Sequence, residues 1–237
     1  METLLQFMKR AWNNFVDLLY PVSCLGCGDN LTPNEEVLCV QCRVKLPVTD
    51  LSKTRNSGVA LQFAGKVPLD FAYSYLTFSK KGIVQRLIHQ IKYKGRKEAG
   101  AVLGRWFGYE LKEKCEEIAE ANLLIGVPLH PVRRRQRGFN QSEWIANGLS
   151  EALQIPVNTT ALKRTRFEAS QTKKGKGARW ENVHDVFAVA DAEAIRGRRV
   201  VLVDDVLTTG ATLEACATQL LNAGCASVGI LTLAAAR

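Results

Sequence analysis

The sequence has 237 residues, of which 46% are hydrophobic, and its 32 Lys and Arg residues against 23 Asp and Glu residues give a net charge of +9. This length accommodates one α/β domain with a buried core and a small appendage. The positive charge favours phosphate-rich ligands or nucleic acid as partners. Because the longest apolar runs are far shorter than the roughly 20 residues of a membrane span, the sequence predicts no transmembrane helix.

The first 22 residues carry apolar side chains at helical spacing. Polar and charged residues, among them Lys9, Arg10 and Asp17, interrupt this pattern. A signal peptide requires an unbroken apolar stretch and a cleavage site, so we expect an amphipathic helix over residues 1–22 in a cytoplasmic protein. This helix either docks onto the core of the domain or attaches to a membrane surface.

Residues 23–47 contain two closely spaced cysteine pairs, Cys24-x-x-Cys27 and Cys39-x-x-Cys42. Two turns with this spacing can place four thiolates tetrahedrally around Zn²⁺. A module of this size cannot build its own core without a metal. We therefore expect a zinc ribbon with a structural, non-catalytic Zn²⁺. An iron–sulfur cluster and reduced free thiols are the alternatives.

The remainder of the chain shows the pattern of an α/β domain. Residues 48–68 are rich in turn-forming residues and are predicted to be a linker, and residues 69–237 form the domain. Strands alternate with helices, which predicts a mostly parallel sheet flanked by helices. The predicted strands are 71–78, 123–127, 200–203 and 227–233. The predicted helices include 97–119, 209–223 and a helix that begins after Asn140, where Asn140 and Glu143 form a capping signal, and reaches Leu153.

The segment from Val200 to Thr212 reads VVLVDDVLTTGAT. Ligands of open parallel sheets bind at the carboxyl ends of the strands, where Asp204 and Asp205 can accept hydrogen bonds from vicinal ribose hydroxyls. The following Thr/Gly loop places free backbone N–H groups at a helix N-terminus, where they can bind a phosphate. The lysine of a Walker A loop and the glycine spacing of a dinucleotide fold are missing, which argues against a nucleoside triphosphatase or a dehydrogenase. The alternative is a strand and a Thr-capped helix without a ligand.

The same segment resembles the motif of type I phosphoribosyltransferases that binds phosphoribosyl pyrophosphate (PRPP) with Mg²⁺. The resemblance implies that Asp204 and Asp205 are catalytic residues in contact with the ribose hydroxyls. It also implies that the 5′-phosphate is held by Thr208, Thr209, Gly210, Ala211 and Thr212.

A second, shorter segment also resembles a PRPP contact of that family, the loop that lies against pyrophosphate. It consists of Lys92, Tyr93, Lys94 and Gly95. The alternative is a basic helix end that interacts only with the helix dipole. In such enzymes the protein mainly positions the ligand and neutralises charge while pyrophosphate departs from an oxocarbenium-like centre.

Two further segments are strongly basic. The loop PLHPVRRRQRGFNQ places Arg133, Arg135 and Arg137 ahead of Phe139, a combination suited to phosphate contacts and base stacking on single-stranded nucleic acid. A solvated loop with a packed Phe is the alternative. The second stretch, which includes Lys173, Lys174 and Arg179, is predicted either to close over pyrophosphate as a lid or to remain a solvated loop.

The order of these motifs resembles the ComF family of competence-associated proteins across nearly the whole chain. The resemblance implies a type I phosphoribosyltransferase fold with an N-terminal zinc ribbon. It further implies a cytoplasmic protein that binds PRPP, takes part in the uptake and handling of transforming single-stranded DNA, and has a DNA-translocating helicase as partner. No hood segment for gripping a purine, pyrimidine or orotate is evident, so the acceptor and the transferase activity stay open.

Two other functions remain compatible with the sequence. A phosphoribosyltransferase of nucleotide salvage would consume one base in a PRPP-dependent reaction. A PRPP-sensing regulator would bind specific duplex sequences, although the chain has no helix-turn-helix pattern.

Overall fold

The computed structural model describes residues 22–53, 58–165 and 186–236. The predicted helix over residues 1–22, except its last residue, and the predicted lid residues Lys173, Lys174 and Arg179 lie outside the described residues. The chain divides into two compact units, one ending at Leu46 and one beginning at Pro47. Within the described part of the chain, no helix is long and apolar enough to cross a membrane.

The smaller unit is built around the cysteines. Its short helix α1, Val40–Val44, begins directly after Cys39. The carboxylate of Glu35 accepts hydrogen bonds from the backbone N–H groups of Thr32 (2.7 Å) and Val40 (2.8 Å), and these bonds lower the pKa of Glu35. The Glu35 side chain thereby joins the stretch between the two cysteine pairs to the first residue of α1.

The larger unit contains a four-stranded sheet in the order β1-β6-β5-β2, with every neighbouring pair parallel. This arrangement confirms the predicted α/β class with a mostly parallel sheet. A two-stranded antiparallel sheet pairs β3 with β4. The strands are β1 Phe71–Phe78, β2 Leu123–Gly126, β3 Leu162–Arg164, β4 Phe187–Val189, β5 Arg199–Leu207 and β6 Ser227–Ala236.

The helices of the larger unit pack apolar faces against this sheet or against each other. In α3, apolar residues three or four positions apart form the buried face, as the periodic spacing requires. The helices are α2 Gly58–Leu61, α3 Ile83–Tyr93, α4 Lys97–Lys114, α5 Pro131–Arg137, α6 Gln141–Leu153 and α7 Ala211–Asn222, with 3-10 turns at Leu51–Lys53 and Glu116–Glu120.

The stretch 48–68 differs from the linker expected for it. Val48 forms an antiparallel bridge with Leu76 of β1, and the backbone N–H of Thr49 donates to the carbonyl of Tyr75 (2.8 Å). Phe63 is buried in the core of the larger unit. The stretch is predicted to be a linker because most of its residues favour turns, although a few apolar residues attach it to the domain.

Helices α4 and α6 pack closely because glycines face the partner helix. Gly104 lies against the carbonyl of Ile145, and Gly148 lies against the carbonyl of Ala101, so that a Cβ at either position would overlap the oxygen. A Cβ at Gly108 would lie 2.6 Å from the Cβ of Ala152. This close packing fixes the position of α6, whose N-terminus reaches the candidate site.

Candidate functional site

Asp204 and Asp205, the acidic pair, lie near the carboxyl end of β5, next to the N-terminus of α6. Ser142, in the first turn of α6, donates its hydroxyl to Asp204 Oδ1 at 2.9 Å, and the backbone N–H of Asp205 donates to the same oxygen at 2.9 Å. Gly126 at the end of β2 permits this approach, since a Cβ there would lie 2.8 Å from the backbone nitrogen of Glu143. Asn140 caps α6, because its Oδ1 accepts a hydrogen bond from the Ser142 N–H (3.1 Å). Its Nδ2 donates to the carbonyl of Val127 (3.0 Å).

The environment of Asp204 disfavours its charged form. Burial has the largest effect and the neighbouring Asp205 carboxylate adds to it, so the pKa of Asp204 is raised to about 7. The hydrogen bonds from Asp205 N–H and Ser142, and the charge of Lys92, act in the opposite direction without cancelling the rise. Asp204 can therefore hold or release a proton close to neutral pH.

Asp205 has one oxygen that is paired and one that is not. Lys92 Nζ at the end of α3 lies 2.9 Å from Oδ1. The other oxygen, Oδ2, is buried and has no hydrogen-bond partner among the described residues. A buried carboxylate oxygen without a partner is costly, and this oxygen is able to accept a hydrogen bond from a water or from the hydroxyl of a ligand.

The loop after β5 places a left-handed glycine directly before a helix N-terminus. Thr208 and Thr209 are exposed, and Gly210 adopts a left-handed conformation with φ of 79° immediately before α7. A Cβ at Gly210 would lie 3.0 Å from the ring of Phe63, so the position favours glycine for both space and backbone angle. Ala211 and Thr212 open the helix, and the free N–H groups of this first turn are available to an anion.

The four residues from Lys92 to Gly95 have different surroundings in the structure. Lys92 reaches the acidic pair, whereas Tyr93 is 66% exposed and its ring contacts other side chains. Lys94 is the C-cap of α3, and Gly95 follows it with φ of 69°. The structure therefore brings only Lys92 of this segment into contact with Asp205.

The arginine-rich segment is a helix rather than the predicted loop. Pro131 occupies the first turn of α5, His130 Nδ1 accepts from the N–H of Val132 (3.3 Å), and Gly138 ends the helix in a left-handed conformation. These are ordinary start and stop signals, which the run of arginines obscured.

The arginine side chains of α5 have different surroundings. Arg134 binds both carboxylate oxygens of Glu143, at 3.0 and 3.1 Å. Arg137 donates to the side chain of Gln141 and lies over the ring of Tyr93, 5.6 Å from its centroid. Arg133 and Arg135 are exposed on the helix surface, and Phe139 beyond the helix is half-buried.

Ser142 is the site residue that sequence reasoning missed. Its only signal in the sequence is its place in the first turn of a helix that follows a strand. Recognising it would have required knowing that β2 and β5 are neighbours, because that pairing brings the N-terminus of α6 to Asp204.

The cysteine cluster fits a tetrahedral metal. The Sγ atoms of Cys24, Cys27, Cys39 and Cys42 all lie within 4.8 Å of one another, and those of Cys27 and Cys39 are 3.8 Å apart. Tetrahedral Zn–S bonds of about 2.3 Å require sulfur atoms about 3.8 Å apart. Cys24 Sγ also accepts hydrogen bonds from the backbone N–H groups of Gly26 (3.4 Å) and Cys39 (3.2 Å).

The same backbone contacts favour a thiolate at Cys24. Burial raises the pKa of this thiol, but hydrogen bonds from the backbone of Cys39, Cys27 and Gly26 outweigh burial and lower the pKa to about 6. The four residues can therefore hold a metal such as zinc, which would cross-link the two cysteine pairs.

Comparison with known proteins gives a consistent set of relatives. Residues 118–237 match the phosphoribosyl transferase domain family. DNA utilization protein YhgH of Escherichia coli O157:H7 is 34% identical over 149 residues, which cover 62% of this chain and 65% of that protein. Competence protein F of Haemophilus influenzae is 25% identical over 223 residues, covering 90% of this chain and 96% of that protein. Competence protein ComFC of Bacillus subtilis is 34% identical over 112 residues, covering 47% of this chain and 43% of that protein.

Solved structures align with part of the chain. The allosteric regulatory enzyme of purine biosynthesis aligns with a TM-score of 0.41 and 22% identity, over 61% of this chain and 29% of that chain. A hypoxanthine phosphoribosyltransferase from Staphylococcus aureus aligns with a TM-score of 0.37 and 15% identity, over 59% of this chain and 64% of that chain. The family match, the parallel sheet and the four clustered cysteines agree with the resemblance found in the sequence. The chain belongs to the phosphoribosyl transferase domain family, and proteins named for competence and for DNA utilization are among its relatives.

Proposed function

We propose that this protein binds PRPP with Mg²⁺ at the carboxyl end of β5 and single-stranded DNA at the adjacent basic surface, and that it acts in DNA uptake. The observation that carries the proposal is the buried Oδ2 of Asp205, which has no hydrogen-bond partner among the described residues, together with the loop from Thr208 to Thr212 that follows this strand. Carboxylates next to a glycine-containing helix N-terminus suit a ligand that has both vicinal hydroxyls and a phosphate.

The residues of the site have separate tasks in this proposal. Asp204 and Asp205 accept hydrogen bonds from the ribose hydroxyls, and Ser142 holds Asp204 in place through its 2.9 Å hydrogen bond. The first turn of α7 binds the 5′-phosphate through its N–H groups. Mg²⁺, when bound with PRPP, neutralises charge on the pyrophosphate. Lys92 offsets the charge of Asp205 and keeps the site from carrying two uncompensated carboxylates.

The DNA part of the proposal is supported by the names of the relatives and by the charge of α5. The relatives are named DNA utilization and competence proteins. Arg133 and Arg135 project from the exposed surface of α5, and guanidinium groups of this kind bind backbone phosphates. A DNA-translocating helicase of the uptake machinery is the proposed protein partner.

Calorimetric titration with PRPP and Mg²⁺ tests the first part directly. We expect micromolar binding by the zinc-loaded full chain and no binding by the Asp204→Ala/Asp205→Ala double variant. Asp191→Ala is the control, because this exposed aspartate lies outside the site and its carboxylate accepts a hydrogen bond from the N–H of Ala194. Unchanged PRPP affinity in the double variant contradicts the assignment of the site.

A second titration tests the DNA part. Replacing Arg133, Arg135 and Arg137 by Ala should weaken binding of a single-stranded oligonucleotide and reduce the slope of log affinity against log salt by about 2. Arg196→Ala serves as control, since this exposed arginine pairs with Glu193 away from α5. An unchanged slope would move the phosphate contacts to another surface.

Transferase activity is tested separately from binding. Release of pyrophosphate from PRPP in the presence of one nucleobase, and not of others, would favour the salvage function. PRPP binding without turnover for every nucleobase would favour a protein that uses PRPP as a ligand.

A further inference from the structure

The outer face of α3 carries aromatic side chains that do not contribute to the core. His89 and Tyr93 lie one helical turn apart, with ring centroids 5.0 Å from each other. Both are exposed, and Tyr93 keeps 66% of its surface accessible. The packing of this helix does not require them, because its buried face is formed by Val84, Leu87, Ile88 and Ile91.

Arg137 joins this aromatic pair to α5. Its guanidinium lies over the Tyr93 ring, 5.6 Å from the centroid, and its hydrogen bond to Gln141 fixes its direction. A guanidinium stacked on an aromatic ring extends the flat surface that a second ring can contact. We call the surface formed by His89, Tyr93 and Arg137 the aromatic platform.

Basic residues flank the members of the aromatic platform along the chain. Lys94 and Arg96 lie in the turn between α3 and α4, and Arg133 and Arg135 lie on the same short helix as Arg137. The nearby carboxylate of Glu143 is already bound by Arg134. Aromatic rings interleaved with cations are the arrangement that binds single strands, in which bases stack on rings and phosphates contact the cations.

The aromatic platform is also connected to the acidic pair of Asp204 and Asp205. Tyr93 directly follows Lys92, and Lys92 Nζ is 2.9 Å from Asp205. The last turn of α3 is therefore held at the acidic pair by one residue and presents an exposed ring through the next.

We propose that the aromatic platform is a nucleobase-stacking site for single-stranded DNA. The inference rests on the proposed DNA binding and deepens it, because it assigns a contact to the bases and not only to the phosphates. It also assigns Tyr93 to DNA instead of pyrophosphate. Since the bases of a duplex are stacked on each other, a platform of this kind selects single strands.

The test compares strands that have the same phosphates but differ in bases. Fluorescence anisotropy of the full-length protein is measured with a labelled oligothymidine of about 15 nucleotides and with an abasic strand of equal length. We expect the wild type to prefer the oligothymidine. Tyr93→Ser should weaken oligothymidine binding by about 5- to 100-fold and leave both abasic binding and the salt slope unchanged.

Two variants control for the substitution itself. Tyr93→Phe keeps the ring and should retain the affinity for oligothymidine. Tyr109→Ser removes another exposed tyrosine, 56% accessible, from α4 and should bind as the wild type does. Circular dichroism of each variant checks that the fold is intact, which an exposed position favours.

The outcomes separate this inference from the proposed function. Equal binding of abasic and oligothymidine strands by the wild type, or equal affinities of Tyr93→Ser and Tyr109→Ser, would overturn the aromatic platform while leaving DNA binding through phosphates intact. Binding of neither strand by the wild type would overturn both the platform and the DNA part of the proposed function. PRPP titration is an independent readout, so its result stands in either case.

Discussion

Lys92 Nζ lies 2.9 Å from Asp205 Oδ1, and this ion pair joins the last turn of α3 to the carboxyl end of β5. The Asp205 side chain is 5% exposed and the Lys92 side chain 23%, so water screens the pair only in part. Lys92 therefore compensates the charge of a buried carboxylate and lowers the net negative charge around Asp204 and Asp205.

Removing one partner of this ion pair should destabilise the protein. In Lys92→Met the buried carboxylate of Asp205 loses its compensating charge, and we expect the free energy of unfolding to fall by about 2 kcal/mol. Urea unfolding measures this change. Lys114→Met is the matched control, because water screens the surface pair of Lys114 with Glu110 and the loss of this pair should change the free energy of unfolding much less. Equal effects of the two substitutions would contradict the role of the buried pair.

The pH dependence of stability should carry the signature of Asp204. Its pKa is raised from 3.8 to about 7, so between these values the folded state binds more protons than the unfolded state and the free energy of unfolding falls as the pH rises. The contribution of Asp204 is fully present below its unfolded pKa and is lost as the pH passes its folded pKa. Asp204→Asn does not titrate, so the stability of the variant relative to the wild type should increase across this window. Urea unfolding at several pH values measures the free energy of unfolding of both proteins. Parallel curves of this free energy against pH for the wild type and Asp204→Asn would contradict the prediction.

Removing the metal should affect the smaller unit first. We expect one zinc ion per chain by mass spectrometry of the intact protein, and chelation should abolish hydrogen-exchange protection in residues 22–46. Cys39→Ser should lose zinc, whereas Cys115→Ala, a buried cysteine outside the cluster, should keep it. Retention of zinc by Cys39→Ser would show that the four cysteines do not form the metal site.

Gly148→Ala should separate α4 from α6. The added Cβ would overlap the carbonyl oxygen of Ala101, and relief of this overlap should cost about 1–3 kcal/mol of stability. Because α6 carries Ser142, the affinity for PRPP should fall as well. Gly58→Ala is the control, since a Cβ at that helical position meets nothing within 4 Å. Calorimetric unfolding of both variants measures the difference, and equal melting temperatures would contradict the prediction.

Local features of the fold could be predicted from the sequence because they depend on neighbouring residues. β1 has the bounds that its aromatic and β-branched residues predict, and Asn140 caps α6 as its place before the helix predicts. The carboxylates of β5 and the loop after them also lie where the motif places them, although β5 is longer than predicted and includes both aspartates.

Features that depend on contacts between distant segments could not be predicted. The ion-pair partner of Asp205 and the hydroxyl donor to Asp204 come from helices whose positions follow from the strand order, which the sequence does not specify. The glycines of α4 also gave no signal, since glycine in a helix usually indicates only lower helix propensity. The structure shows why glycine is needed at these positions, because the backbone of α6 lies directly against them.

The strand order also has a consequence for how the chain folds. β6 lies between β1 and β5, and the contact of Asp70 with Ser227 at the start of this pairing spans 157 residues of sequence. Contacts of such separation require closure of a long loop before any pairing energy is gained, so the sheet should fold slowly for its size. Until β6 enters, β1 and β5 each present an unpaired edge to solvent, which makes the incomplete sheet prone to aggregation and a substrate for chaperones.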